Sequence, residues 1–172
     1  MSFEIGTLVV RPVAGFDLQQ DYFDVGPENL ARTVSGRAIK QMTYSKLRVT
    51  TSGSGWIPAG LQTLDRSQQH IIKCVKPRYV VADPVTRQAL LPAARRSDGR
   101  FAPWGYAFRA DGSFLIAPVT LAGNVATVAA VSGAVAYGVG YLPQITAYVM
   151  APAESGDMGS ATYRWEIVAD EV

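Results

Sequence analysis

The chain has 172 residues, 48% of them hydrophobic, with 16 lysines and arginines against 14 acids and a net charge of +2, which suits one domain, 1–172, around its own core. Its only cysteine, Cys74, excludes an internal disulfide and a thiolate zinc cage within one chain, and its only histidine, His70, is the one residue on which a Ser-His-Asp triad could be built. Sixteen glycines and ten prolines cut the sequence into short segments; that favours strands and turns, and the expected class is all-β or mainly β.

Residues 3–13 read as an opening strand ended by Pro12 and Gly15, and 17–30 as an acidic irregular segment with room for a turn of helix. The start, MSFEIGTLVV, has no basic run leading into a sustained apolar one, so no secretory signal is expected. From about 31 to 53 the sequence predicts a long hairpin that carries Arg32, Arg37, Lys40, Lys46 and Arg48 and no acid. In its first arm Arg32, Val34, Gly36, Ala38 and Lys40 alternate with Thr33, Ser35, Arg37, Ile39 and Gln41, so neither face is cleanly apolar. In the second, Leu47, Val49 and Thr51 share a face. The mixed arm is expected to be covered by something outside its own core.

A glycine-rich corner follows, with Trp56 expected to pack against Leu61 and Leu64 in a single turn. HIIKCVKPRYVVA returns as a strand with Cys74 as a small buried residue, and the polar, basic, proline-bearing stretch 83–100 reads as a surface loop. Asp111-Gly112 marks a hairpin between PWGYAF and SFLIAPV, and Ala122-Gly123-Asn124 a second one. The final pair is YLPQITAYVM and ATYRWEIVADE, joined by the acidic loop APAESGDMGS; in its last strand Tyr163, Trp165 and Ile167 share one face. About ten strands and no long helix result.

No residue from Ser113 to Ala153 is charged, but glycines and prolines break the run into strand-sized, β-branched pieces. It therefore reads as strands buried in the core or against a neighbouring subunit rather than as a membrane span, and no membrane insertion is expected. Charge is sorted along the chain: both ends are acidic, and every cation except Arg11 and Arg164 lies between Arg32 and Arg109. Without interleaved aromatics in a recognition-module pattern, that asymmetry suits a basic surface meeting an acidic one on a second copy better than nucleic-acid contact.

Chemistry is sparsely represented. The glycine runs TSGSGW and AYGVGY lack the lysine and helix of a phosphate cradle, and Asp17 with Asp21 or Glu154 with Asp157 read as solvated loops. No catalytic residue, metal site or cofactor is expected.

RTVSGRAIKQM, SKLRVTTSGSGWIPAGL, HIIKCVKPR and the late YLPQITAYVMAPAESGDMGSATYRWEIVADEV together resemble small tail proteins of long-tailed bacteriophages and prophages. The resemblance covers about 31–78 and 118–172, and residues 1–30 and 83–100 lie outside it. It implies a β-sandwich or β-barrel of the tail-tube or distal-tail type, with an extended hairpin that pairs subunits around a hexameric ring. It also implies a structural virion protein, assembled in the host cytoplasm, that joins tube to tip, contacts other tail proteins and lets DNA pass without specific binding. The alternative within the class is the major tail tube subunit. From another class comes a carbohydrate-binding β-sandwich, suggested by Trp56, Trp104 and Tyr106 in turns. In the ring reading the cations of 32–109 face subunit contacts or the outside, and acidic segments holding Asp17, Asp21, Asp24, Glu154 and Asp157 line the lumen.

Overall fold

Regular structure in the computed structural model, which describes residues 3–172, is strand apart from single 3-10 turns at Pro12–Ala14, Leu61–Thr63 and Gly99–Phe101. In chain order the strands are β1 (Phe3–Ile5), β2 (Leu8–Val10), β3 (Gln19–Val25), β4 (Glu28–Arg32), β5 (Ala38–Met42), β6 (Lys46–Gly55), β7 (Gln69–Lys73), β8 (Arg78–Ala82) and β9 (Gln88–Leu90). They continue as β10 (Trp104–Arg109), β11 (Phe114–Ala117), β12 (Val119–Ala122), β13 (Val125–Val128), β14 (Ala134–Tyr141), β15 (Gln144–Val149), β16 (Ala153–Asp157) and β17 (Thr162–Glu171). The fold is all-β with several antiparallel sheets.

Contacts divide this chain, read from sequence as one domain, into two compact units: Lys73–Gln144, and the flanking segments up to Ile72 and from Ile145. The flanking segments build one sheet in the order β2-β1-β7-β15-β17-β6-β3, with β16 also on β17. β17 runs antiparallel to β6 from Tyr163 opposite Gly55 to Asp170 opposite Arg48. Its alternation decides its packing: Trp165, Ile167 and Ala169 are buried, Arg164 and Glu166 exposed. Phe3, Ile5, Val49, Leu61 and Ile72 are buried in the same unit.

The unit 73–144 holds the sheet β11-β10-β14-β8 and the smaller sheet β12-β13-β9. Both contribute to one buried cluster of Ala82, Ala89, Leu91, Ala107, Ala117, Ala126, Val128, Tyr137, Val139 and Tyr141. Many of these are alanines, so the strands approach closely; a Cβ on Gly105 would meet Val128 Cγ1 at 2.6 Å.

Several expectations are corrected by this architecture. The acidic stretch 17–30 contains β3, paired along its whole length with β6, because Gln20 turns inward and donates to Thr51 Oγ1 at 2.9 Å. The predicted 31–53 hairpin is two different things. β4 pairs with β5 across a turn closed by Thr33 N–H to Arg37 O at 2.9 Å, with Gly36 at φ +82°. β6 leaves for the large sheet, which takes up its cleaner apolar face of Leu47, Val49 and Thr51. The predicted strand through 70–82 divides into β7 and β8 in different sheets, with Pro77 between them. The surface loop 83–100 contains β9 and the fully buried Arg96. In the uncharged stretch β14 ends fully buried, whereas β11 and β12 are mostly exposed. No helix among the described residues is long and apolar enough to cross a membrane.

Candidate assembly surfaces

Every residue of β4 and β5 is exposed, so this two-stranded ribbon buries neither face in its own chain. The pairs Glu28–Met42, Leu30–Lys40 and Arg32–Ala38 make one face; Asn29–Gln41 and Ala31–Ile39 make the other. Val34 stands fully exposed at the tip. Lys40 Nζ meets Glu28 Oε2 at 3.0 Å, and Arg32 donates to Gly36 O at 3.2 Å. A ribbon of two strands with no packing partner is marginal in water, and Leu30, Ile39 and Met42 add exposed apolar surface.

Of the five cations read as an assembly patch, the fold brings together Arg32, Arg37 and Lys40 on this hairpin. Lys46 and Arg48 lie on β6 and are engaged within the large sheet. Lys46 Nζ donates to the main-chain oxygen of Val172, and Arg48 forks onto Asp170 at 2.6 and 2.7 Å. Those guanidinium bonds hold the Asp170 carboxyl below its ordinary range.

The corner also differs from expectation. Trp56 is 67% exposed and meets exposed Phe16 edge-on, with centroids 4.8 Å apart, while Leu61 is buried and Leu64 half-buried. The buried tryptophan is Trp165, stacked on Phe3 at 6.3 Å. Gly53 lets its ring pass: a Cβ there would stand 2.9 Å from Trp165 Cζ2.

A second exposed surface lies on the sheet β11-β10-β14-β8. Register puts Phe114 and Ile116 of β11, Trp104, Tyr106 and Phe108 of β10, Gly138 and Gly140 of β14, and Tyr79 and Val81 of β8 on one face. The opposite face carries the buried cluster. Tyr106 lies 6.0 Å from Tyr79, 6.1 Å from Phe108 and 5.7 Å from Phe114 between ring centroids. The two glycines make room for flat rings: a Cβ on Gly138 would strike the Tyr79 ring at 2.2 Å, and one on Gly140 the Trp104 ring at 2.6 Å. Tyr79, Val81, Phe114 and Ile116 are exposed and the β10 rings half-buried. Partial desolvation of the hydroxyl, with Tyr106 nearby, pushes the Tyr79 pKa up although the side chain as a whole is exposed. A shallow hollow of about 280 Å³ lies among Arg78, Tyr79, Tyr106, Phe108 and Phe114. The alternation of Trp104, Tyr106 and Phe108 is the sequence signal for this face; Tyr79 and Phe114 needed the pairing.

Arg87, Arg95 and Arg96 of the 83–100 stretch serve the fold. Arg87 donates to Val128 O at 3.2 Å, and Arg95 donates to Asn124 Oδ1 at 2.8 Å and Gly123 O at 2.9 Å. Arg96 forks onto Asp98 at 3.1 and 2.9 Å, donates to Cys74 O at 3.2 Å and sits 3.7 Å over the Phe101 ring. The expectation that the cations of 32–109 face contacts or the outside therefore fails at Arg96.

Two of the acidic segments meet: Asp17, Glu154, Arg164 and Glu166 line a polar hollow of about 410 Å³ on the large sheet. Asp17 accepts the Ser54 N–H at 2.5 Å, and hydrogen bonding by the Ser54 side chain and main chain holds its carboxyl down; Glu154 accepts from Gln62 at 3.3 Å. Asp157 instead closes its own turn through Gly159 N–H and Ser160 Oγ. His70 Nε2 donates to Asp65 O at 2.8 Å. Among the described residues no three His, Cys, Asp or Glu side chains converge as metal ligands. The chain matches no family model, no curated protein and no solved structure.

Proposed function

We propose that the chain is a structural protein of a bacteriophage tail. In this reading it is a ring-forming distal-tail or tip component that joins tube to tip, contacts other tail proteins and lets DNA pass. Its work is self-association rather than catalysis. The carrying observation is the β4–β5 hairpin, which exposes both faces and, at its tip, Val34. Such a ribbon gains stability by laying its open edges or faces against another molecule. The tail assignment itself rests on the resemblance of 31–78 and 118–172 to small phage tail proteins, with the major tube subunit as the alternative component.

Negative-stain imaging and mass photometry of the purified chain test this reading: closed rings are expected, and a strictly monomeric protein refutes it. A second reading, a carbohydrate-binding module, draws support from the exposure of Trp56, Tyr79 and Phe114 beside the half-buried Tyr106 ring. Binding of the monomer to a glycan array would favour it.

A further inference from the structure

The aromatic face of β11-β10-β14-β8 and the β4–β5 hairpin are two unlike surfaces that both stand open on one chain. We propose that the aromatic face receives the β4–β5 hairpin of a second copy, an inference that rests on the assembly reading above.

The chemistry of the two surfaces is complementary. Phe114, Ile116, Trp104, Tyr106, Phe108, Tyr79 and Val81 present π faces and alkyl groups, with Arg78 as the cation bordering their hollow. The hairpin face of Leu30, Arg32, Lys40 and Met42 offers alkyl surface, a thioether and two cations. Aromatic faces attract guanidinium and ammonium groups through the ring quadrupole and thioether sulfur at the ring edge, so they accept a basic ribbon without an acid of their own. Glu28, the one acid of that hairpin face, and Lys40 engage each other, which leaves Arg32 as the principal cation for the rings. Dimensions agree as well: the ring-bearing run Trp104–Phe108 and the strand Glu28–Arg32 are equally long, about 17 Å at roughly 3.4 Å per residue. A sugar would instead need several converging hydrogen-bonding groups, and the face is predominantly hydrocarbon.

Because donor and receiver are different patches, the contact is heterologous. It passes from copy to copy and closes into a ring when the rotation permits, whereas a patch that pairs with itself stops at two.

Complementation tests this with the full chain. One variant carries Leu30→Glu and Met42→Glu, the other Phe114→Glu and Ile116→Glu; all four positions are exposed, and circular dichroism checks that each variant is folded. Each alone is expected to remain monomeric, with assembly weakened by about tenfold or more, the scale of losing an interface anchor. Mixed, they are expected to form one-to-one dimers, since the mixture holds one intact hairpin and one intact face. A face variant that assembles like the wild type, or a mixture that stays monomeric, overturns the inference.

A photo-crosslinking amino acid in place of Phe114 gives an independent readout on otherwise unaltered protein. Crosslinks to 28–42 of another copy support the pairing. Crosslinks to any other segment overturn it while leaving self-assembly intact. A wild type that is monomeric at every concentration overturns the assembly reading, and this inference with it.

Discussion

The indole nitrogen of Trp165 donates to the main-chain oxygen of Ala14 at 2.6 Å, fastening β17 to the turn that follows β2. Trp165 is therefore anchored by a hydrogen bond, by the Phe3 ring and by full burial, whereas Trp56 has one aromatic neighbour and water. Trp165→Ala is expected to cost about 3 to 5 kcal/mol, the range for deleting a buried large aromatic. Trp56→Ala is expected to stay within about 1 kcal/mol in the monomer. Urea denaturation of the two variants measures both, and a reversed order would contradict the packing described.

Among the described residues Arg96 is the most deeply buried cation. Truncating it removes the fork onto Asp98, the bond to Cys74 O and the stack on Phe101. Asp98 retains contact with water, so Arg96→Ala is expected near the lower end of the cost of breaking a buried pair, about 3 kcal/mol. Chemical denaturation would show this as a lowered midpoint with an unchanged slope.

Acid should loosen the large sheet through Asp170. Its carboxyl titrates lower folded than unfolded because Arg48 bonds the charged form. The resulting stability is fully present above the ordinary carboxylate range, about pH 4, and is lost as pH falls through the depressed folded value. Asp170→Asn should therefore melt below the wild type at neutral pH, and the gap should close as the buffer is acidified. A gap independent of pH would mean that the pair contributes nothing.

Arg37 and Arg48 are expected to separate under charge reversal. Arg48→Glu opposes Asp170 directly across the β6–β17 ladder and should lower the melting temperature. Arg37→Glu changes an exposed turn position and should leave melting unchanged while weakening assembly and its salt response. Melting curves and mass photometry over a salt series distinguish the two effects.

Alanine at two glycines should behave differently. At Gly55 a Cβ meets the main chain, Val13 O at 2.3 Å and Ala14 Cα at 2.5 Å, so neither side can yield cheaply. Gly55→Ala is expected to cost about 2 kcal/mol or more. At Gly138 the obstacle is the outer end of the exposed Tyr79 ring, which can swing outward. Gly138→Ala should hardly change stability but should weaken assembly by disturbing the aromatic face.

Local signals in the sequence carried far. Asp111-Gly112 and Ala122-Gly123-Asn124 mark turns between β10 and β11 and between β12 and β13, and the alternation around Trp165 names the buried face of β17. Non-local partners were not legible. β6 had to be assigned to β3 and β17 instead of to β5, yet an antiparallel neighbour nearby in sequence satisfies the same alternation as one far away. Asp21 and Asp24 disguised β3, since a polar edge strand and an irregular acidic segment look alike without their partner. Trp56, followed by Ile57 and Pro58 in a glycine-rich corner, reads as a plug, whereas its exposure depends on what the surrounding loops cover. The surface-loop reading of 83–100 hides Arg96, whose burial depends on distant Cys74 as well as on nearby Asp98 and Phe101.

The strand order β15-β17-β6 places β17 in the interior of the large sheet, between a neighbour that precedes the whole of 73–144 and one that follows it. On a ribosome β6 emerges long before β17, so one of its edges has no final partner while the intervening unit is being made. Completion of the sheet consequently waits for distant pairings, the class of contact that slows folding. Until β17 arrives, the unpaired edge of β6 is the place where a chaperone, or another nascent chain, has its opportunity to bind.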